Sequence, residues 1–175
     1  MSNEASQTSH EDDVDRIVGA WEVQRPDLDT SPMLIFSRIT RIARHLDLAR
    51  RTAFSSHELE PWEFDVLSSL RRAGKPYALT PGNLMNELLV SSGTMTNRID
   101  RLEAKGLVER SRSSTDRRAV LVTLTSNGKQ KVDAALASLL DAERALLVSL
   151  TKRQRENLSK LLRPILLTFT PKTRH

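Results

Sequence analysis

Apolar residues in this chain recur mostly every three or four positions, which divides it into a succession of helices. From Glu11 onward, Val14, Ile17, Val18 and Trp21 fall on one helical stripe, behind an acidic first turn that suits the positive end of the helix dipole. This helix stops before Pro26. The connector RPDLDTSP leads to Ser31-Pro32, which reads as the cap and first residue of a longer helix. Ile35, Ile39, Ile42, Leu46, Ala49 and Ala53 mark its apolar side, among Arg38, Arg41, Arg44, Arg50 and Arg51. Three shorter helices follow: EPWEFDVLSSLRRAG, closed by Gly74; TPGNLMNELLV, opened by Thr80-Pro81; and SSGTMTNRIDRLEAKG, opened by a serine and closed by Gly106.

The periodicity then changes. LVERSR and RRAVLVTL, on either side of SSTD, read as two antiparallel strands joined by a short connection. Beyond Thr125, Val132, Ala135, Leu136, Leu139, Leu140 and Leu147 define another helix. KRQRENLSKLLRPILLTF forms the last, with a broad apolar face of Leu158, Leu161, Leu162, Ile165, Leu166 and Phe169. Three short helices followed by a hairpin is the order of a winged helix-turn-helix. The expected fold class is therefore mainly α: a winged helix-turn-helix with a small β-hairpin wing, and N- and C-terminal helices forming a dimerisation region. The expected organisation is a disordered tail over 1–10, an added helix and connector over 11–30, a helical dimerisation region from 31–55 and 125–170, and a winged DNA-binding domain over 56–124.

The third short helix can be examined by rotation at about 100° per residue. With Met95 as the origin, Ile99 falls at about 40° and Leu102 at about 340°, which gives a core face. Asn97 falls at about 200° and Arg101 at about 240°, on the opposite side. Ser92, Thr94, Thr96, Asn97 and Arg101 are therefore the side chains free to meet base edges, all of them short and polar or able to donate two parallel bonds. Arg112, Arg117 and Arg118 flank the hairpin tip, where they can reach phosphates or a narrow minor groove. Arg98, at about 300°, lies beside the core stripe and points towards the body of the domain.

Charge adds to this picture. The chain carries 27 lysines and arginines against 22 acids. Residues 1–30 alone hold eight acids against Arg16 and Arg25, so the remainder is strongly basic and suited to a polyanion. Basic charge alone does not distinguish a nucleic-acid binder from other soluble proteins. The chain has no cysteine, which excludes disulfides and thiolate metal sites, and its four histidines have no metal-ligand spacing. Neither a secretory signal nor a membrane span is visible, so a cytoplasmic location is expected, with no membrane partner. No catalytic constellation, phosphate loop or dinucleotide fingerprint appears, so neither an enzyme nor a cofactor is expected.

The stretch SSGTMTNRIDRLEAKGLVER followed by STDRRAVLVTLT resembles the recognition helix, first strand and wing of the MarR family of winged-helix regulators. Asp116 and Arg118 fill that family's Asp-x-Arg wing pattern, Asp116 with a structural role. The resemblance spans roughly 31–169 and implies a homodimer, built from the first and last helices, that binds a pseudopalindromic double-stranded operator and usually represses. The added helix with Trp21 and the connector RPDLDTSPM are similar to the urate-responsive, PecS-type subgroup. That likeness implies an anionic effector such as urate, held by Trp21, Asp65, Arg98 and Arg110. The residues themselves leave alternatives open. Asp65 lies among Ser68, Ser69 and Arg72 on a polar helix side and also reads as a solvated surface acid. Trp21 continues an apolar stripe and also reads as packing in the core or a dimer. A second reading keeps the resemblance with another aromatic acid or a phenol as effector, and a third is an architectural DNA-binding protein with no ligand, which would carry the same helices and wing.

Overall fold

The computed structural model describes residues 11–112 and 120–169. Their elements, in chain order, are α1 (Asp13–Gln24), α2 (Ser31–Ser55), α3 (Pro61–Arg72), β1 (Ala78–Leu79), α4 (Pro81–Leu88), α5 (Ser92–Ala104), β2 (Val108–Arg112), β3 (Val120–Leu124), α6 (Ser126–Leu146) and α7 (Lys152–Leu167). The chain divides into two compact units between Leu48 and Ala49, with α2 running through the boundary. Among the described residues, no helix is long and apolar enough to cross a membrane.

In the first unit, Asp12 caps α1, accepting from the Val14 and Asp15 amides at 2.7 and 3.1 Å, while Asp15 returns the bond to the Asp12 amide at 3.0 Å. Arg38 of α2 donates to Asp12 at 2.8 and 3.1 Å and to Asp15 at 2.6 Å, so the same carboxylates that start α1 also bind it to α2. This environment, chiefly the Arg38 hydrogen bond, lowers the Asp12 pKa to about 2. Helix α2 begins at Ser31 itself rather than at Pro32, and Asp29 accepts the Ser31 amide at 2.9 Å. The apolar stripe of α1 divides: Val14 and Val18 are buried, while Ile17 and Trp21 are exposed.

The second unit is built on one apolar core. Phe54 and Phe64 stack with ring centroids 4.1 Å apart, and Leu67, Leu70, Leu84, Met95, Ile99, Leu102, Val122, Val132 and Ala135 complete its centre. The hairpin forms as an antiparallel pair, Val108 opposite Leu124 and Arg112 opposite Val120. A third strand, β1, pairs with the other side of β3, giving the order β1-β3-β2. A two-residue strand carries no alternation, so nothing in the hydrophobic pattern announces it. The expected four-residue connection SSTD and the start of the expected second strand lie outside the described residues, as does the expected tail over 1–10.

Candidate nucleic-acid interface

Helices α4 and α5 form the helix-turn-helix. Thr80 caps α4, its hydroxyl accepting from the Asn83 amide at 3.2 Å, and Pro81 supplies the first helical residue. Leu89, with φ of +52°, turns the chain out of α4. Ser91 then caps α5, accepting from the Thr94 amide at 3.3 Å, with its hydroxyl 2.9 Å from that of Thr94. The inner face of α5 is Met95, Ile99 and Leu102, all buried, as the rotation predicts. On its other side Ser92, Thr94, Thr96, Asn97 and Arg101 are all exposed.

The end of α5 is fixed on both sides. Lys105 is the cap residue, and Gly106 follows with φ of +66°, a left-handed conformation that costs a side chain energy and glycine very little. The Gly106 amide donates to Glu103 at 2.9 Å and the Leu107 amide to Leu102 at 2.9 Å, which satisfies the last helical carbonyls. Thr125, the cap of α6, donates its hydroxyl to the Gly106 carbonyl at 2.8 Å and its amide to that of Leu107 at 3.2 Å. The start of α6 is thereby attached to the end of α5.

Three further contacts hold α5. The guanidinium carbons of Arg98 and Arg101 lie 5.6 and 4.8 Å from the centroid of the Trp62 ring, near the start of α3. The Lys105 ammonium sits 2.7 and 3.0 Å from the two carboxylate oxygens of the fully buried Glu63, the next residue of α3. Arg110 of β2 reaches back to α5, its amide and guanidinium meeting Glu103 at 3.1 and 2.5 Å while a second guanidinium nitrogen donates to Asp100. The hydrogen bond to Asp100 raises the Arg110 pKa above its ordinary value, with Glu103 adding to the effect and burial opposing it.

Among the candidate phosphate contacts, Arg112 is exposed at the end of β2. Arg117, Arg118 and Asp116 lie outside the described residues. The four candidate effector residues are placed as follows. Trp21 is exposed on α1 in the first unit, so it is not core within the single chain. In the second unit, Asp65 of α3 is partly buried and 3.5 Å from Arg50, so it is paired rather than simply solvated. Arg98 lies over Trp62, and Arg110 lies against Asp100 and Glu103. Among the described residues, no hydrogen bond or ion pair joins Asp65, Arg98 and Arg110 to one another. Sequence reasoning did not single out Trp62, Glu63 or Lys105. The one available sign was their chemistry at the start of α3 and the end of α5.

Known proteins are similar to this chain in sequence and in fold. A family model described as MarR family matches residues 57–119. The HTH-type transcriptional regulator PecS of Dickeya dadantii is 36% identical over 150 residues, covering 86% of this chain and 90% of PecS. The chain belongs to the MarR family.

Other MarR relatives agree in fold. The multiple antibiotic resistance protein MarR of Escherichia coli is 44% identical over 66 residues, 38% of this chain and 44% of that protein. A crystal structure of a cysteine-to-serine mutant of E. coli MarR complexed with operator DNA superposes with a TM-score of 0.63 at 30% identity, covering 79% of this chain and 99% of that one. The MarR-family regulator AbsC of Streptomyces coelicolor superposes at 0.69 with 19% identity, covering 81% of this chain and 95% of AbsC, a likeness of fold. The chain is thus a winged-helix regulator of the MarR family.

Proposed function

We propose that this MarR-family chain is a homodimeric transcriptional repressor that reads a pseudopalindromic operator with α5 and leaves it when an anionic effector such as urate binds. The two-sidedness of α5 carries the reading: Met95, Ile99 and Leu102 are buried, while Ser92, Thr94, Thr96, Asn97 and Arg101 face outward. In this reading the outward five meet base edges, and Arg112, Arg117 and Arg118 contact phosphates. The relative solved with operator DNA supports a DNA role for the same fold.

The dimer rests on exposed apolar surface. No side chain of α7 is buried, and Leu158, Leu161, Leu162 and Leu166 are exposed along it, followed by Phe169. An amphipathic helix of this length is marginal unless something covers its apolar face. A second copy would cover it, with 31–55 and 125–170 as the dimerisation region, 56–124 as the DNA-binding domain, and 11–30 as the added helix and connector.

The effector is assigned to Trp21, Asp65, Arg98 and Arg110, which are present in a chain similar to PecS. An anion that drew the Arg110 guanidinium away would take it from Asp100 and Glu103, two carboxylates of α5 itself. Ligand and operator would then compete through the position of α5, and a coupling of about 1–3 kcal/mol corresponds to roughly 5- to 150-fold lower DNA affinity. Fluorescence anisotropy on a duplex selected by the protein, titrated with urate, tests this. Release by urate, reduced when Arg110 is replaced by alanine, is expected; unchanged operator affinity would remove urate as the effector.

A further inference from the structure

The first turn of α3 faces a basic stripe of α5. Arg98, Arg101 and Lys105 fall within about 60° of one another on the helix wheel. Trp62 meets the first two through its ring and Glu63 meets the third through its carboxylate. The placement of both α3 residues is fixed locally: Pro61 starts the helix, and Glu63 accepts the Glu60 amide at 3.0 Å. Trp62 itself packs against the core of the second unit. It is therefore a braced surface, and Arg101 remains exposed above it.

A guanidinium lying over a ring is held by its charge. That attraction needs no hydrogen-bond acceptor, and among the described residues the Arg101 guanidinium donates to none. A carboxylate partner would do the opposite, occupying the fork a guanine requires. Among the described residues, no carboxylate makes an ion pair with Arg101, whereas Arg110, Arg71 and Arg38 are each committed to acids. The long side chain most suited to reading a base is thus restrained without its donors being consumed.

We propose that Trp62 is a positioning residue for sequence recognition: its indole face orders the Arg101 guanidinium before DNA arrives, so that less side-chain freedom is lost when Arg101 meets a base. The proposal rests on the reading of α5 as the base-reading helix. Side-chain ordering and cation–π attraction at a partly exposed site together correspond to a loss of about two- to tenfold in affinity when removed. The loss should fall on the preferred sequence and largely spare unrelated DNA, where phosphates dominate binding.

The experiment compares the full-length protein with Trp62→Phe, Trp62→Leu, Arg101→Ala and Trp62→Leu/Arg101→Ala, on a duplex selected by the wild type and on an unrelated duplex. Trp62→Leu is expected to weaken binding to the selected duplex by about two- to tenfold, with Trp62→Phe intermediate because a smaller ring retains part of the attraction. On the Arg101→Ala background, Trp62→Leu should cause no further loss. If Trp62→Leu is unfolded by thermal melting, Trp62→Phe and Trp62→Phe/Arg101→Ala take the same test. Equal losses on both duplexes, or a loss that persists without Arg101, would overturn the proposal by making Trp62 merely structural, as would unchanged binding. An Arg101→Ala variant that binds both duplexes like the wild type would instead remove the base-reading role of Arg101, an outcome separable from the failure of Trp62 alone.

Discussion

Gly128, in the first turn of α6, stands against the backbone of Leu107, and a β-carbon added there would lie 2.0 Å from the Leu107 carbonyl oxygen. The Gly128 amide also donates to the Thr125 hydroxyl at 3.0 Å, and that hydroxyl donates to the Gly106 carbonyl. The residues that end α5 and begin α6 therefore form one joint. Gly128→Ala must push backbone against backbone, and a destabilisation of about 2–3 kcal/mol is expected, at the upper range of overpacking. Urea denaturation measures it. Gly93→Ala, where an added β-carbon meets nothing within 4 Å, serves as the contrast and should leave stability equal or slightly higher.

The buried carboxylate of Glu63 gives a second prediction. Lys105 is its cationic partner, and removing that partner leaves a buried charge uncompensated. The Lys105 side chain is 44% exposed, so water can replace part of the lost contact, and Lys105→Met is expected to cost about 1–3 kcal/mol, less than for a wholly buried pair. Adding Glu63→Gln should recover much of this, since the amide oxygen can still accept the Glu60 amide and no charge remains. Denaturant midpoints of the wild type, both single variants and the double variant give the coupling directly. Additive losses would contradict the pairing.

The attachment of α1 to α2 should respond to acid. Asp12 normally titrates near 3.8 and is held at about 2 here, first by the hydrogen bond from Arg38. A carboxyl whose folded pKa is depressed contributes stability that is present above its unfolded value and lost as pH falls through the folded value. The Asp12–Arg38 contact should therefore persist at pH 4 and be lost only as pH falls through about 2. A carboxyl carbon NMR titration should give Asp12 a midpoint near 2, returning towards 3.8 in Arg38→Gln. A midpoint that Arg38→Gln leaves unmoved would contradict this.

Much of the fold is legible in the sequence because local chemistry dictates it. Thr80, Ser91 and Thr125 cap the helices that follow them, and the three-four spacing of Met95, Ile99 and Leu102 fixes which side of α5 is buried. The exposed face of α5 is legible for the same reason, being what the core leaves over. The partners of its basic residues are not. Arg101 over Trp62, Lys105 on Glu63 and Arg110 on Asp100 each join elements that only tertiary packing brings together. Periodicity aims a side chain at a sector and does not name its neighbour. Asp65 illustrates the point: its polar surroundings in sequence suggest solvent, while the approach of Arg50 from α2 gives it a partner.

Base reading and phosphate contact should separate in mutants. Arg101→Ala is expected to cost about 1–3 kcal/mol on the preferred sequence, as for a lost bidentate contact to guanine, and to relax preference at one position. Arg112→Ala and Arg118→Ala should weaken binding to all sequences and lower the dependence of affinity on salt. Anisotropy titrations at several salt concentrations on matched and unrelated duplexes distinguish the two patterns. Identical sequence-independent losses in all three variants would contradict this division of roles.

The central claim is that two copies of this chain present the Ser92-to-Arg101 faces of α5 to successive major grooves. Selection of bound sequences from a pool of random duplexes tests it most directly, because it assumes neither the operator nor the effector. Enrichment of two inverted half-sites is expected, their centres about 10 base pairs apart, with one base preference in each half-site lost for Arg101→Ala. A pool that yields no inverted repeat, or a motif that Arg101→Ala leaves intact, would contradict it.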